Sequence, residues 1–182
     1  MSDSKPYSEE KTEAWYGNDI IQEKVLVGYS KIKYGLDGCL DHTQIAMHVT
    51  FDAIWNGFLE LKERNIRIRC IIEVTSENLV HCKKFMEIVE LRHIAGVRGN
   101  FGIADKRECL FHAISNEEQP LSHAIITSVK GIVDAQQYLF DTLWSKAIPT
   151  EKRIKEFEDG IVPEFMENLS DPDEIHNILK FN

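Results

Sequence analysis

Between Ile66 and Val74 the chain reads IRIRCIIEV, apolar residues alternating with arginine before running together. That pattern predicts a strand that enters a sheet at its solvated end and continues between covering helices. Other segments repeat at helical spacing. Trp15, Ile20, Ile21, Val25, Leu26 and Tyr29 predict a helix over 11–30, interrupted near Gly17. IAMHVTFDAIWNGFLELKERNI predicts one long helix, and TSENLVHCKKFMEIVELR another, opened by the cap-forming Thr75 and Ser76 and carrying Leu79, Cys82, Phe85, Met86 and Val89 on one face. YGLDGCLD is a short strand candidate weakened by its two glycines.

Three strand-like segments follow, GNFGIAD, CLFHAI and LSHAIITS, joined by the turns ADKRE and SNEEQP. VKGIVDAQQYLFDTLWSKA is an amphipathic helix with Ile132, Val133, Tyr138, Leu139, Phe140, Leu143 and Trp144 as its packing stripe. Pro149 breaks it, TEKRIKEFEDG forms a charged helix closed by Gly160, and VPEFMENLSDPDEIHNILKFN holds two short helical candidates separated at Pro172. Strands alternating with helices imply an α/β fold, a mixed sheet flanked by helices. The expected organisation is a polar N-terminus (1–10), an α/β domain (11–148) and a helical connector or tail (149–182).

Composition narrows the function classes. A chain of 182 residues suits one well-buried domain. Its formal charge of −9 repels phosphate backbones at long range, so nucleic acid is not an expected partner. No basic segment leads into an apolar run at the N-terminus and no stretch is long and apolar enough for a membrane span, so the expectation is a cytoplasmic protein. Cys39, Cys70, Cys82 and Cys109 include no C-x-x-C pair, as for reduced thiols. No metal-ligand spacing stands out, and no cofactor is expected.

The stretch RGNFGIAD, Arg98–Asp105, carries the most informative chemistry. The order of elements resembles one half of a phospholipase D-like fold, whose catalytic motif is H-x-K-x-x-x-x-D. Aligned on the turn after the strand, Arg98, Asn100 and Asp105 stand at the positions of its histidine, lysine and aspartate. In such enzymes the histidine attacks phosphorus and the lysine neutralises phosphoryl charge. A guanidinium is always protonated and cannot be that nucleophile; a neutral amide cannot replace the lysine. The resemblance therefore implies loss of the family chemistry, with no catalytic residue.

What remains is recognition. Arg98 could grip a carboxylate or phosphate, and Asn100 and Asp105 could hydrogen-bond a polar ligand. The competing reading pairs Arg98 with Asp105 or Glu73 as a structural ion pair. Glu73, Thr75 and Ser76 lie where a strand gives way to a helix, as do Thr127 and Ser128, and ligands in open α/β sheets commonly sit at such ends. Thr75, Ser76 and Ser128 also suit plain helix caps. His93, in LRHIAG, is the one candidate for a rescued nucleophile, but Ala95 stands where a cation would be needed. His81, His112 and His123 read as structural. Glu90–Arg92 echo the H-E-L-R of histidine-kinase phosphoacceptor helices, but Val89 occupies the histidine position.

Longer phrases, TEAWYGND, FLELKERNIRIRCIIEVTSENLVHCKKFMEIVELRHIAGVRGNFGIAD, IITSVKGIVDAQQYLFDTLWSKAIPTEKRIKEFEDG and VPEFMENLSDPDEI, are similar to the N-terminal sensory module found ahead of histidine-kinase domains in ammonia-oxidising archaea. The resemblance spans about Lys11 to Ile178. It implies a cytoplasmic input module of two-component signalling with a phospholipase D-like fold comparable to the effector domain of TrmB-type archaeal regulators. The chain departs from the full architecture by stopping at Asn182, without a kinase core, as an excised domain or a stand-alone relative.

The expectation is thus a non-catalytic sensor whose ligand-binding candidates are Arg98, Asn100, Asp105, Glu73, Thr75, His93 and Ser128. Its expected partners are a small ligand that could be anionic, a downstream kinase or regulator module reached through the tail, and a second copy in a homodimer. The alternatives are a phosphodiesterase with a residual or dimer-shared site, a transcription-regulator effector domain, and an interaction module built on helix 129–147.

Overall fold

The computed structural model describes residues 10–113 and 122–161. The SNEEQP turn, the frayed start expected over most of 1–10 and the two helical candidates around Pro172 lie outside the described residues.

A single mixed sheet of eight strands organises the molecule, in the order β1-β7-β6-β5-β2-β3-β4-β8. Its parallel centre is β2 (Gly35–Leu40), β3 (Arg67–Ile72) and β4 (Glu90–His93). β5 (Phe101–Ala104), β6 (Glu108–Ala113), β7 (His123–Thr127) and the edge strand β1 (Thr12–Tyr16) extend it antiparallel on one side. The two-residue β8 (Ile148–Pro149) closes the other.

Strand alternation sorts the core into two layers. Leu36 and Leu40 of β2 and Ile68, Cys70 and Ile72 of β3 pack beneath α1 (Asn18–Lys31), α2 (Ile45–Thr50), α3 (Asp52–Glu63) and α4 (Leu79–Phe85). Cys39, Ile71, Phe101, Ile103 and Cys109 face the opposite way, against Val133 and Phe140 of α5 (Lys130–Lys146). Beneath α5 a charged group is fully partnered: Arg69 donates to both carboxylate oxygens of Asp37 at 2.8 and 2.7 Å and to Asp141 at 3.1 Å, while Gln137 Nε2 reaches Asp37 at 2.9 Å. The guanidinium also lies over the Phe140 and Trp144 rings.

Three expected helices differ. Residues 12–16 form a strand instead of the start of a helix, because β7 supplies a complete antiparallel partner from Thr127 back to His123. Gly17, at φ 87°, turns the chain into α1. The single long helix is two, broken at Phe51, whose backbone is extended. Thr50 turns its hydroxyl onto the Ala46 carbonyl, and Lys84 caps the Val49 carbonyl that the break frees. The helix over TSENLVHCKKFMEIVELR contracts to α4, and its last residues become β4, with Leu91 and His93 buried on one face and paired to β3.

The central IRIRCIIEV strand and the three-strand run stand as expected. The 130–146 helix also forms, but of its expected packing stripe only Val133 and Phe140 are buried and Leu143 and Trp144 half-buried, while Ile132, Tyr138 and Leu139 are exposed because the sheet covers one narrow face of the helix. The glycine-containing YGLDGCLD segment holds β2, near the middle of the sheet. Part of the expected connector docks as α6 (Thr150–Glu158), with Thr150, Arg153 and Ile154 buried. All four cysteines are free and buried. No helix among the described residues is long and apolar enough to cross a membrane.

Candidate functional site

The three parallel strands end together at Leu40, Ile72 and His93, and β5 begins at the same edge because Phe101 pairs with Cys39. Loop residues following β2 (Asp41, His42), following β3 (Glu73, Thr75, Asn78) and preceding β5 (Arg98, Asn100) therefore share one rim. Exposed backbone ends at this edge must be satisfied by side chains, and several polar residues are used for that.

Asn78 is the principal clamp. Its Oδ1 accepts from Thr75 N at 2.9 Å, and its Nδ2 donates to the Glu73 and His42 carbonyls at 2.9 and 3.0 Å, tying the β2 and β3 loops together. Asn100 does the same between β2 and β5: its Oδ1 accepts from Asp41 N at 3.0 Å and its Nδ2 donates to the Asp41 carboxylate at 2.6 Å. Asp41 also accepts from Thr43 N and Oγ1 at 2.9 and 2.6 Å. Burial is the largest single influence on that carboxyl and raises its pKa, but the Thr43 and Asn100 hydrogen bonds together outweigh it and leave the pKa lowered. Glu73 accepts from the Gly96 N–H at 2.9 Å, where the chain takes φ 67°.

Arg98 stands apart from these clamps. It is exposed and lies 3.3 Å from His42 Nδ1 through Nη1, and it forms no ion pair with Asp105, Glu73 or any other described carboxylate. The structural ion pair considered for it is thus absent. The charged fork of donors faces solvent at the rim where the parallel strands end.

His93 is enclosed. Its Nδ1 accepts from Val74 N at 2.9 Å, which assigns the remaining ring proton to Nε2. Burial, with the nearby Arg153 charge, lowers its pKa. The one lone pair of the neutral ring is therefore already engaged.

Asp105 and Ser128 lie at the other edge of the sheet. Asp105 follows Ala104, which pairs with Leu36 at the start of β2, and Ser128 follows Thr127, which pairs with Cys109 at the start of β6. The Asp105 carboxylate accepts from the backbone N–H groups of Lys33, Tyr34 and Gly35 at 2.9, 2.7 and 3.1 Å. Its own backbone, φ 52°, and that of Lys106, φ 56°, form the tight turn into β6. Ser128 exchanges hydrogen bonds with Lys11 and pins β1 to the sheet. The candidates divide accordingly: Arg98, Asn100, Glu73, Thr75 and His93 converge on one edge, while Asp105 and Ser128 are remote from them. His42 and Asn78 belong to the convergent set and were not singled out from the sequence; the strand–loop junctions LDHT and VTSEN were the available signal. No cluster among the described residues could hold a metal ion.

No family model matches the sequence and no curated protein does. Solved structures do resemble the fold. Nuc from Salmonella typhimurium, a phospholipase D family member, matches with TM-score 0.63 and 10% identity over 78% of this chain and 98% of its own. NucT from Helicobacter pylori gives 0.59 and 10% over 78% and 99%. TrmBL2, an archaeal chromatin protein described for its mode of DNA binding, gives 0.57 and 14% over 82% of this chain. The match spans 57% of the TrmBL2 chain. The chain thus has the α/β fold of a phospholipase D-like half, a mixed eight-stranded sheet with helices on both faces.

Proposed function

We propose that this chain is a non-catalytic sensor domain that binds a small carboxylate- or phosphate-bearing ligand at the rim formed by Arg98, His42 and the ends of β2–β4. The observation carrying this reading is the exposed Arg98 guanidinium, without a carboxylate partner among the described residues, at the carboxyl edge of the parallel strands, where ligands of open α/β sheets gather. Anchoring of Asn100 to Asp41, and of Asn78 to both neighbouring loops, supports it by fixing the backbone around the arginine. In this reading the domain passes its signal to an attached kinase or regulator module in the cytoplasm.

Absence of catalysis belongs to the same proposal. Arg98 and Asn100 lack the nucleophile and cation that phosphodiester transfer needs, and His93 has its lone pair committed to Val74 N–H. An extended nucleic acid is a poor partner for this reading, given the overall charge of −9. The likeness to TrmBL2 supports an effector module, because there the same fold forms one portion, 57%, of a longer chain.

The experiment is calorimetric titration of the chain with a panel of carboxylates, phosphates and nucleotides, repeated with Arg98→Ala, beside an assay of bis(4-nitrophenyl) phosphate hydrolysis. A ligand bound by the wild type and lost at least tenfold by the variant, with no turnover, is the expected result. Turnover by the wild type that disappears in His93→Ala would overturn the proposal in favour of an enzyme.

A further inference from the structure

A second candidate site is a deep pocket, partly open to solvent, between the sheet and the layer of α1 and α3. Side chains alternate along β2 and β5, so Leu36, Gly38 and Leu40, with Gly102 and Ala104, point to this side. Gly38 and Gly102 are direct cross-strand partners. Two facing glycines remove the side chains from the middle of the sheet and leave a cavity of ≈ 110 Å³.

Neither glycine is required by its surroundings. Neither adopts a positive φ, and a Cβ at Gly102 would meet Leu36 Cδ1 at 3.7 Å, one at Gly38 the Cys70 Sγ at 3.7 Å, both ordinary contacts. Packing and backbone thus leave the missing side chains unexplained; what they produce is space. Tyr29, Phe58 and Leu110 contribute to the wall, and Trp15, Lys24 and Glu108 also border the cavity.

Lys24 and Glu108 stand at its border, and two imidazoles supply the buried polar groups. His48, 7% exposed, donates Nδ1–H to the Gln44 carbonyl at 3.0 Å, which leaves its Nε2 an acceptor. The buried Nδ1 of His112 has no hydrogen-bond partner, and the two rings stand 6.2 Å apart between centroids. Burial lowers the pKa of His48 and, as its largest cause, that of His112 to about 3, so both rings are neutral near pH 7. The Lys24 ammonium at its border is engaged by Glu13 and the Trp15 ring and is balanced by Glu108, so the border carries no net positive charge and the neutral interior does not favour an anion.

We infer that this chamber binds a small neutral molecule, an aromatic or compact alicyclic body carrying one hydroxyl, with its ring over the Gly38–Gly102 floor and its hydroxyl at His112 and His48. At ≈ 110 Å³ the cavity is somewhat smaller than the roughly 150 Å³ in which an apolar protein cavity binds benzene, so the occupant is at most a single small ring and seats with a slight yielding of the wall. This occupant differs in chemistry and in place from the anion proposed for the Arg98 rim.

Phenol and benzene are the probes, titrated by calorimetry and NMR into the wild type, Gly102→Val and His112→Phe. The wild type should bind both saturably, phenol about tenfold more tightly through its hydroxyl. Gly102→Val should weaken both at least tenfold, and His112→Phe should erase the preference for phenol. No saturable binding of either probe by folded wild type overturns the inference, as does phenol binding that is unchanged in a folded Gly102→Val. Should that variant not fold, nuclear Overhauser contacts between bound phenol and the methyls of Leu36 and Leu110 in the wild type decide: their presence supports the site and their absence removes it.

Discussion

Arg98 and Asp105 stand seven positions apart in one motif-like stretch and perform opposite tasks. Arg98 is exposed, and its one side-chain hydrogen bond among the described residues is to the His42 ring. Arg98→Ala should therefore change unfolding free energy by no more than about 0.5 kcal/mol in a urea titration while removing ligand binding. Asp105 instead fastens residues 33–35 to the hairpin turn through three backbone N–H groups. Asp105→Ala should lower stability by roughly 2 kcal/mol, because those donors lose their acceptor and alanine tolerates the left-handed backbone poorly. Asp105→Asn, which tolerates that backbone and retains one acceptor oxygen, should recover part of the loss in the same titration.

Between neighbouring elements, approach distance decides. α3 crosses α1 at Gly57, where an added Cβ would stand 2.7 Å from Tyr29 Cδ2 and 3.3 Å from Leu26 Cδ2. Gly57→Ala improves helix propensity by about 1 kcal/mol, but the clash forces the two helices apart. Overpacking should win, giving a net loss of roughly 1–2 kcal/mol in equilibrium denaturation. A stabilised variant would mean that Tyr29 moves aside freely. The same closeness explains why IAMHVTFDAIWNGFLELKERNI does not run straight: α2 contacts α4 as well as α3, and one unbroken helix could not follow both.

Acid sensitivity is a property of the assembled core. His48, His93 and His112 are all lowered by burial, and for His112 the value is about 3 against an unperturbed 6.5. Below pH 6.5 the unfolded chain binds protons that the folded chain refuses, so stability rises with pH through this window and falls as pH drops. Each histidine contributes a slope of up to roughly 1.4 kcal/mol per pH unit, ending at its own folded pKa. Asp41 and Asp105, also lowered in the folded state, extend the loss below about pH 4. Melting temperatures measured from pH 8 to pH 4 should decline steadily from about pH 6.5. His112→Phe should flatten the curve if it folds, and His48→Gln, which keeps a polar group on α2, should do so partially.

Local pattern was enough for the central β3 strand, the α5 helix, the β5–β6 turn and the α/β class, because each rests on periodicity or turn chemistry contained in a few adjacent residues. It was enough also to place Glu73 and Thr75 at a strand end, while Arg98 and Asn100 were marked by the resemblance to the H-x-K-x-x-x-x-D motif; that His93 ends a strand was settled by pairing with β3. Tertiary structure decided the rest. TEAWY and ELRH carry apolar residues that satisfy a helical and a two-residue period alike, and the partner strands β7 and β3 selected the strand. Asp105 and Ser128 left the site because antiparallel pairing reverses direction, sending the end of β5 to the opposite edge from its start. His42 and Asn78 entered it, and the Gly38–Gly102 chamber formed, through pairings across 36 and 64 positions of chain. Such distant pairings leave no periodic trace, since the sheet that brings those residues together is built from the whole chain.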